Sequence, residues 1–433
     1  MYELKPPFIE RMKILLPDEK DFQSYLKILK EQPVRSIRCN TLKISSSDLK
    51  KKLEEKGWKI KQPWKDYPEV MIVDGKIINK KIAENNNSDK NSDYVINNIM
   101  GGSERSELLG RSYWREKIKI NNEPMTEIRD KRASASKLID LEPGELGRSL
   151  EHLLGYYYIQ ELASMLPIIA LKPEPNDIFL DLCASPGSKT TQAASTMQNT
   201  GTIIANEVSL GRIKILASNL ERCGCINAIL TRKDGIAFCQ RIRKFNPNFK
   251  FDKILIDAPC SGEGTLRSSP KTYQMWNPKT IQNLSKLQKS MVASAIEMLK
   301  PKGILVYSTC THAPEENEEV VNFILEKFPE MKIETIKLPI KCRQGITKWK
   351  DKEFSKEVNK ITEVEIKEVQ GNYLIPVSAA ERELKPEDFS EFTNRYFDSQ
   401  GSVCILVNKL YEVYQDDELS LNFIKKPNAK KHA

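Results

Sequence analysis

The sequence predicts an α/β protein: a parallel sheet with helices on both faces, preceded by a small α/β unit. Three observations lead there. Strand-like and helical runs alternate from residue 176 to 328. Dense apolar periodicity sets in at LEHLLGYYYIQELASMLP (150–167). The first 75 or so residues carry a strand and a capped helix of their own.

The chain has 433 residues, room for two or three domains of about 100–200 residues each. It is 39% hydrophobic and 29% charged, the balance of a soluble globular protein. No run reaches the roughly 18 apolar residues of a membrane span. MYELKPPFIERMKILLPDEK (1–20) mixes acids and bases and lacks the apolar stretch of a secretory signal. The expected location is the cytoplasm, or the nucleus in a eukaryote. A net charge of +9 permits a polyanionic partner. The nine cysteines are odd in number and irregular in spacing, which argues against a disulfide framework. Their only close pair is Cys223 and Cys225, and the chain has three histidines, so no zinc site is expected.

In residues 1–75, SIRCNTLKI (36–44) reads as a strand, and SSSDLKKKLEEKGW (45–58) as a helix with serine caps and a terminal Gly57. Residues 76–145 read as a partly disordered insertion. It holds the polar ENNNSDKNSD (84–93) and GGSERSE (101–107), with YWREKIKI (113–120) as a structured island. The main domain is expected over 146–415, with an added segment at 363–392, and a basic tail over 416–433. Within the main domain the strands are DIFLDLCA, GTIIANE, NAILTRKDG, FDKILIDAPC and GILVYSTCT, each followed by a helical run.

Ligands of such sheets bind beyond the carboxyl ends of the strands. The first strand aims CASPGSKT (183–190) at that pocket. Ala184, Ser185, Gly187 and Ser188 are small enough for a ligand to approach the backbone. The helix that follows offers free N–H groups at its start. Neither GxGxxG nor GxxxxGK[ST] is present. Glu207 after the second strand and Asp234 after the third suit an adenosine without a phosphate, as in S-adenosylmethionine; they equally suit helix caps.

Cys260 follows the fourth strand and Cys310 the fifth, so adjacent parallel strands would bring both thiols to one edge, with Asp257 at the strand end. Two such thiols match a specific chemistry. Cytosine C5 is a poor nucleophile until a thiolate adds to C6, with an acid assisting at N3. The C5 proton must then leave before the thiol is expelled. A helix starting at PEENEEVV (314–321) would favour a Cys310 thiolate, with its acids facing solvent.

At these residues the sequence resembles the Sun-type RNA (cytosine-5) methyltransferases of rRNA and tRNA. The matching phrases are DLCASPGSKTTQ, NEVSLGRIKILASNLERCG, DAPCSGEGTLR and STCTHAPEENEEVV, with EHLLGYYYIQELASMLP upstream. The resemblance is dense over 147–330 and weaker over 1–60. It implies a Rossmann-like S-adenosylmethionine-dependent methyltransferase sheet and an N-terminal RNA-recognition module. By resemblance, Cys183, Ala184, Ser185, Pro186, Gly187, Ser188 and Lys189 form the cofactor loop. Glu207, Asp234 and Asp257 complete the cofactor and base contacts. Cys310 is carried over as the nucleophile and Cys260 as the thiol that releases product; the reverse assignment stays open, because DNA cytosine methyltransferases use a Pro-Cys cysteine after strand four. Lys189 orders Asp257 or the substrate, or forms a plain salt bridge.

The family does not lead one to expect the insertions. In FDSQGSVCILVNKL (397–410), Ser402, Val403 and Cys404 replace the glycine- and phenylalanine-rich pattern of the family's closing strand. Arg267 and Lys271 are candidates for phosphate contact, and Tyr156 to Tyr158 for base stacking or a core cluster. His152 and His312 read as structural. The expected activity is 5-methylcytosine formation in RNA by a monomer, with tRNA preferred over rRNA. Two rivals remain: a methyltransferase acting on an exocyclic amine, which would carry an Asn/Asp-Pro-Pro-aromatic motif where this chain has DAPC, and a non-catalytic RNA-binding factor keeping the fold.

Overall fold

The computed structural model describes residues 4–78, 137–269, 274, 276–334, 338–340, 345–355, 358 and 403–408. Most of the expected insertion lies outside the described residues, as do the segment 363–392 and the basic tail.

The chain opens with α1 (Pro6–Leu15), which has proline in its first turn, and α2 (Glu19–Ile28), capped by Asp18. Phe8, Met12, Phe22 and Tyr25 on these helices pack with Trp276, Ile281 and Ala313 of the larger domain. The small unit proper comprises β1 (Ser36–Cys39), α3 (Ser46–Glu55), β2 (Trp58–Lys61), β3 (Val70–Ile78), β4 (Lys137–Ile139) and β5 (Tyr157–Ile159). The Ser45 hydroxyl caps α3 by accepting from the Asp48 N–H. The sheet order is β2-β3-β1-β5, with β4 on β3. Ile37, Leu49, Leu53, Trp58, Met71 and Tyr157 form its core. Since β5 lies beyond residue 146, this sheet crosses the division expected there. β3 and β4 pair antiparallel, Lys76 opposite Ile139. The long insert thus leaves and rejoins the sheet on neighbouring strands, and extra length in such a connection costs little.

The larger sheet is built from β6 (Ile178–Asp181), β7 (Thr202–Asn206), β8 (Ala228–Thr231), β9 (Phe251–Asp257), β10 (Leu299–Ser308) and β11 (Met331–Ile333). After a short ribbon of β12 (Lys348–Trp349) and β13 (Lys352–Glu353), β14 (Val403–Asn408) completes it. The order is β11-β14-β10-β9-β6-β7-β8. The pairings from β10 to β8 are parallel, and β14 runs antiparallel to both of its neighbours. Residues 403–408 thus take the closing-strand place.

Helices α4 (Leu162–Leu171), α5 (Ser188–Thr196), α6 (Leu210–Cys223), α7 (Gly235–Phe245), α8 (Pro278–Ile296) and α9 (Glu318–Lys327) flank this sheet. Period-two alternation sorts the strands between the two sides. Leu180, Ile254, Ile256, Leu305 and Tyr307 meet Phe238, Met291, Val320 and Ile324 of α7, α8 and α9. Phe179, Ile203, Leu255 and Val306 meet Met165, Ala193 and Leu216 of α4, α5 and α6. The near-continuous apolar strands are what a sheet buried on both faces requires. Strand order turns back at β6, which places the crevice at the ends of β6, β9 and β10. No helix among the described residues is long and apolar enough to cross a membrane.

Arg11 of α1 reaches the loop after β10, where its guanidinium donates to both Glu315 oxygens, Nη1 to Oε1 at 3.0 Å. Burial alone would raise the Glu315 carboxyl, but Arg11 holds it down to about 2, against an ordinary 4.5. A carboxylate depressed in the folded state stabilises fully above its unfolded pKa and loses that contribution as pH falls toward the folded one. On the order of 3 kcal/mol is at stake. Glu315→Gln is therefore expected to flatten the fall of the urea midpoint below pH 4.5. An unchanged acid limb would show that the pair does not hold α1 in place.

Candidate active site

Register brings the two cysteines together. Ser308 at the end of β10 lies level with Asp257 at the end of β9. Cys260 and Cys310 follow within three residues of those ends, and their sulfurs stand 3.2 Å apart. The Cys310 N–H also points at Cys260 Sγ, at 3.2 Å, and the Gly264 N–H donates to the Cys310 carbonyl at 2.9 Å. Either sulfur could donate across this contact, and the surrounding charges and burial favour Cys260 as the donor. Its hydrogen bond lowers the Cys310 thiol below the ordinary value, against burial and the Asp257 charge, with Lys189 helping. The same bond, together with burial, raises Cys260 well above its ordinary value.

Two buried glutamates hold these loops. Glu316 is 0% exposed; its carboxylate accepts from the Ser261 N–H (3.1 Å) and Gln288 Nε2 (2.8 Å). Glu263, 1% exposed, accepts from the Thr311 hydroxyl and the His312 N–H, each at 3.2 Å, and from Trp276 Nε1 at 2.8 Å. The expectation that the acids of 314–321 face solvent is therefore wrong for Glu316 and Glu318, both of which are buried. The helix also starts later than expected. α9 begins at Glu318, and Asn317 closes the preceding turn by accepting from the Thr309 hydroxyl and donating to the Thr311 carbonyl. An acidic run before a helix normally signals a solvated first turn, and nothing in its composition marks these acids as partners of backbone N–H groups.

A cavity of about 520 Å³ opens at this edge. Its wall includes Asp181, Cys183, Ala184, Ser185, Pro186, Ser188, Lys189, Asp257 and Cys310. Cys260 lies against Cys310 and is not part of the wall. Gly187 is also outside the wall: it sits at φ +103°, where a Cβ would come 2.9 Å from Leu216 Cδ1 of α6. Only glycine tolerates that combination, so Gly187 sets the path of the loop. Lys189 Nζ donates to Asp257 Oδ2 at 2.8 Å and to Ser164 Oγ at 3.1 Å, and Ser308 Oγ donates to Asp257 Oδ1 at 2.8 Å. Burial would discharge Lys189, but the Asp257 carboxylate outweighs it and raises the ammonium above its ordinary value.

The residues present fit S-adenosylmethionine. The volume is within the roughly 300–1,000 Å³ of small-molecule sites. Asp181 accepts from the Thr190 hydroxyl at 2.7 Å through one oxygen, while its other oxygen is buried without a partner. Burial raises this carboxyl to about 7, and an arriving ammonium group would supply the missing donor. Glu207 and Asp234 stand outside this wall. Glu207 accepts from the Ser209 N–H at 2.8 Å and lies 3.5 Å from Arg212, which donates to the Ser185 carbonyl. Asp234 caps α7 through the Ala237 N–H at 3.0 Å.

Arg38, overlooked in the strand phrase SIRCNTLKI, ties the small sheet to this loop. Its buried guanidinium donates to the Ser188 carbonyl (2.7 Å) and the Thr191 hydroxyl (2.8 Å), and packs on the Tyr158 ring. Tyr157 is core, whereas Tyr158 lines the cavity. Arg267 donates to the carbonyls of Glu31 and Gln32; Lys271 lies outside the described residues. His152 contacts the Gly147 carbonyl at 3.1 Å, and His312 packs edge-on against Tyr25.

A doubly wound sheet closed by the antiparallel β14, with this cavity at its switch point, fits the class of S-adenosylmethionine-dependent methyltransferases. The family model for the 16S rRNA methyltransferases RsmB/F matches residues 168–360. A tRNA (cytosine(49)-C(5))-methyltransferase of Pyrococcus abyssi is 43% identical over 214 residues, 49% of this chain and 67% of that protein. Ribosomal RNA small subunit methyltransferase F of Psychromonas ingrahamii is 34% identical over 332 residues, 76% of this chain and 54% of that protein. The chain thus spans about half the length of the ribosomal enzymes it matches. A methyltransferase homolog from Pyrococcus horikoshii superposes with a TM-score of 0.57 at 25% identity, covering 94% of this chain and 100% of that one. NSun6 from the same organism, at 24% identity and a TM-score of 0.61, covers 94% of this chain and 99% of its own, and shares the fold. The chain belongs to the RsmB/F family of RNA (cytosine-5) methyltransferases.

Proposed function

We propose that this protein transfers a methyl group to C5 of a cytosine in RNA, through a covalent bond between Cys310 and C6. The observation that carries the reading is the pair of sulfurs 3.2 Å apart, with Cys310 in the wall of the cavity that also presents Lys189 and Asp257. The Cys310 thiolate adds to C6, and the Lys189–Asp257 pair supplies the proton taken up at N3. S-adenosylmethionine, held by Asp181 and the 183–188 loop, supplies the methyl group that C5 takes. Once Cys310 is bonded to carbon it no longer accepts the Cys260 hydrogen bond, so Cys260 loses the contact that kept it protonated. Its proton passes to solvent, and the freed thiolate removes the C5 proton. The C5–C6 double bond re-forms, the Cys310–C6 bond breaks, and N3 gives its proton back to the Lys189–Asp257 pair.

The preferred substrate is tRNA. Support comes from the tRNA enzyme of Pyrococcus abyssi, which shares 43% identity and is matched over more of its length than the ribosomal enzymes. The small antiparallel sheet, tied to the cofactor loop through Arg38, serves as the RNA-recognition module. The test supplies S-adenosylmethionine with a tritiated methyl group to unmodified tRNA and to small-subunit rRNA fragments, then identifies the labelled nucleoside after digestion. Label in 5-methylcytidine from tRNA is the expected result. Label on an exocyclic amine would overturn the chemistry, and label in rRNA alone would overturn the substrate.

A further inference from the structure

The buried glutamates form a reciprocal clasp. Glu316, from the Cys310 loop, takes the N–H of Ser261, the residue after Cys260. Glu263, from the Cys260 loop, takes the N–H of His312, two residues after Cys310. The Ser261 and Thr311 hydroxyls meet between them at 2.7 Å. Gln288 of α8 anchors the clasp, its Nε2 donating at 2.8 Å to both Glu316 and the Pro259 carbonyl. The Tyr307 hydroxyl donates to the Glu316 carbonyl at 2.6 Å. Neither glutamate lines the cavity.

Resting on the reading that Cys310 is the nucleophile, we propose that Glu316 is a positioning residue: it locks the two cysteine loops at sulfur contact, and its charge helps to keep the proton on Cys260. The two thiols are chemically identical, so an asymmetry must come from their surroundings. Cys310 feels the Lys189 ammonium, which favours a thiolate, opposed by Asp257. Cys260 is held protonated first by its bond to Cys310 and by burial, and the Glu316 carboxylate adds to this. Other charges reach the clasp as well. Burial raises the Glu316 carboxyl to about 7 and Glu263 pushes it the same way, while Arg11 stands 3.6 Å from Glu263. A buried carboxylate bonded to a backbone N–H is costly to leave unpartnered, which explains why each loop satisfies the other's acid rather than its own.

The test is competitive alkylation of the full-length protein by limiting iodoacetamide, without RNA and at about one pH unit above the value of about 7 to which burial raises Glu316, with each cysteine quantified by peptide mass spectrometry. In the wild type, Cys310 is expected to react first. Cys260 reacting first in the wild type would overturn the nucleophile assignment itself. With wild-type order as expected, Glu316→Gln should move reactivity from Cys310 toward Cys260 by about tenfold, as a change of one pKa unit would. Glu316→Asp, which keeps the charge, should restore the wild-type order. S-adenosylmethionine binding within twofold of wild type reports that the variant is folded. If Glu316→Gln does not bind it, Gln288→Leu replaces that variant: it removes a donor to Glu316, favours the protonated acid, and should shift reactivity the same way. A folded variant that still alkylates Cys310 first, in wild-type proportion, would overturn the proposal.

Discussion

Cys310→Ala is expected to abolish methyl transfer, whereas Cys260→Ala should bind RNA and fail to let it go. Removing a catalytic nucleophile costs on the order of 10⁶-fold where it has been measured in other enzymes, and Cys260, though 3.2 Å away, is not part of the cavity wall. In the Cys260 variant the chemistry runs as far as the methylated adduct. With the neighbouring sulfur gone, nothing placed 3.2 Å from Cys310 removes the C5 proton. The adduct should therefore accumulate on ordinary RNA and survive denaturing electrophoresis. RNA containing 5-fluorocytidine extends the comparison, because fluorine at C5 blocks release in the wild type as well. Wild type is expected to trap this RNA and Cys310→Ala is not. Trapping that persists in Cys310→Ala and disappears in Cys260→Ala would exchange the roles of the two sulfurs.

The placement of those sulfurs was legible because it depends on topology alone. Two apolar runs that each end shortly before a cysteine become adjacent parallel strands, and register does the rest. The small-residue loop 183–188 was legible for a similar reason, since a first βα turn has one place to go in a doubly wound sheet. For Lys189 the sequence allows a residue that orders Asp257 or the substrate as well as a plain salt bridge, and its ammonium stands 2.8 Å from Asp257. Three features stayed hidden. Glu316 and Glu263 look like surface acids because their partners are backbone N–H groups, which no side-chain pattern announces. Arg38 looks like the polar position of an alternating strand, yet it is buried against the start of a helix 150 residues away. The change of texture near residue 146 suggests a boundary there, but β5, beyond it, pairs with β1 of the small sheet. In each case the deciding partner is distant in sequence, and periodicity carries no information about distant partners.

Asp257→Asn is expected to lower methyl transfer by about 10²–10⁴-fold, the usual worth of a placed acid–base group, and to change the pH profile of what remains. Both Asp257 oxygens are engaged by donors, Lys189 at one and the Ser308 hydroxyl at the other. An amide keeps one acceptor and turns an N–H₂ toward the second donor. Lys189 then loses the main charge that holds its ammonium above the ordinary value, and burial, the largest influence, lowers it against the weaker pull of Asp181 and Cys310. The residual rate should therefore fall as pH rises through a lysine titration below its ordinary 10.5, a step absent from the wild type. Lys189→Met provides the comparison: it should be slow as well, but without that step. Binding of S-adenosylmethionine by each variant separates damage to the cofactor site from damage to the base site, because the contacts assigned to the cofactor at Asp181 and the 183–188 backbone are left in place. An Asp257→Asn enzyme within threefold of wild type, with the wild-type pH profile, would remove the Lys189–Asp257 pair from the proton path and leave N3 to be protonated from elsewhere in the cavity.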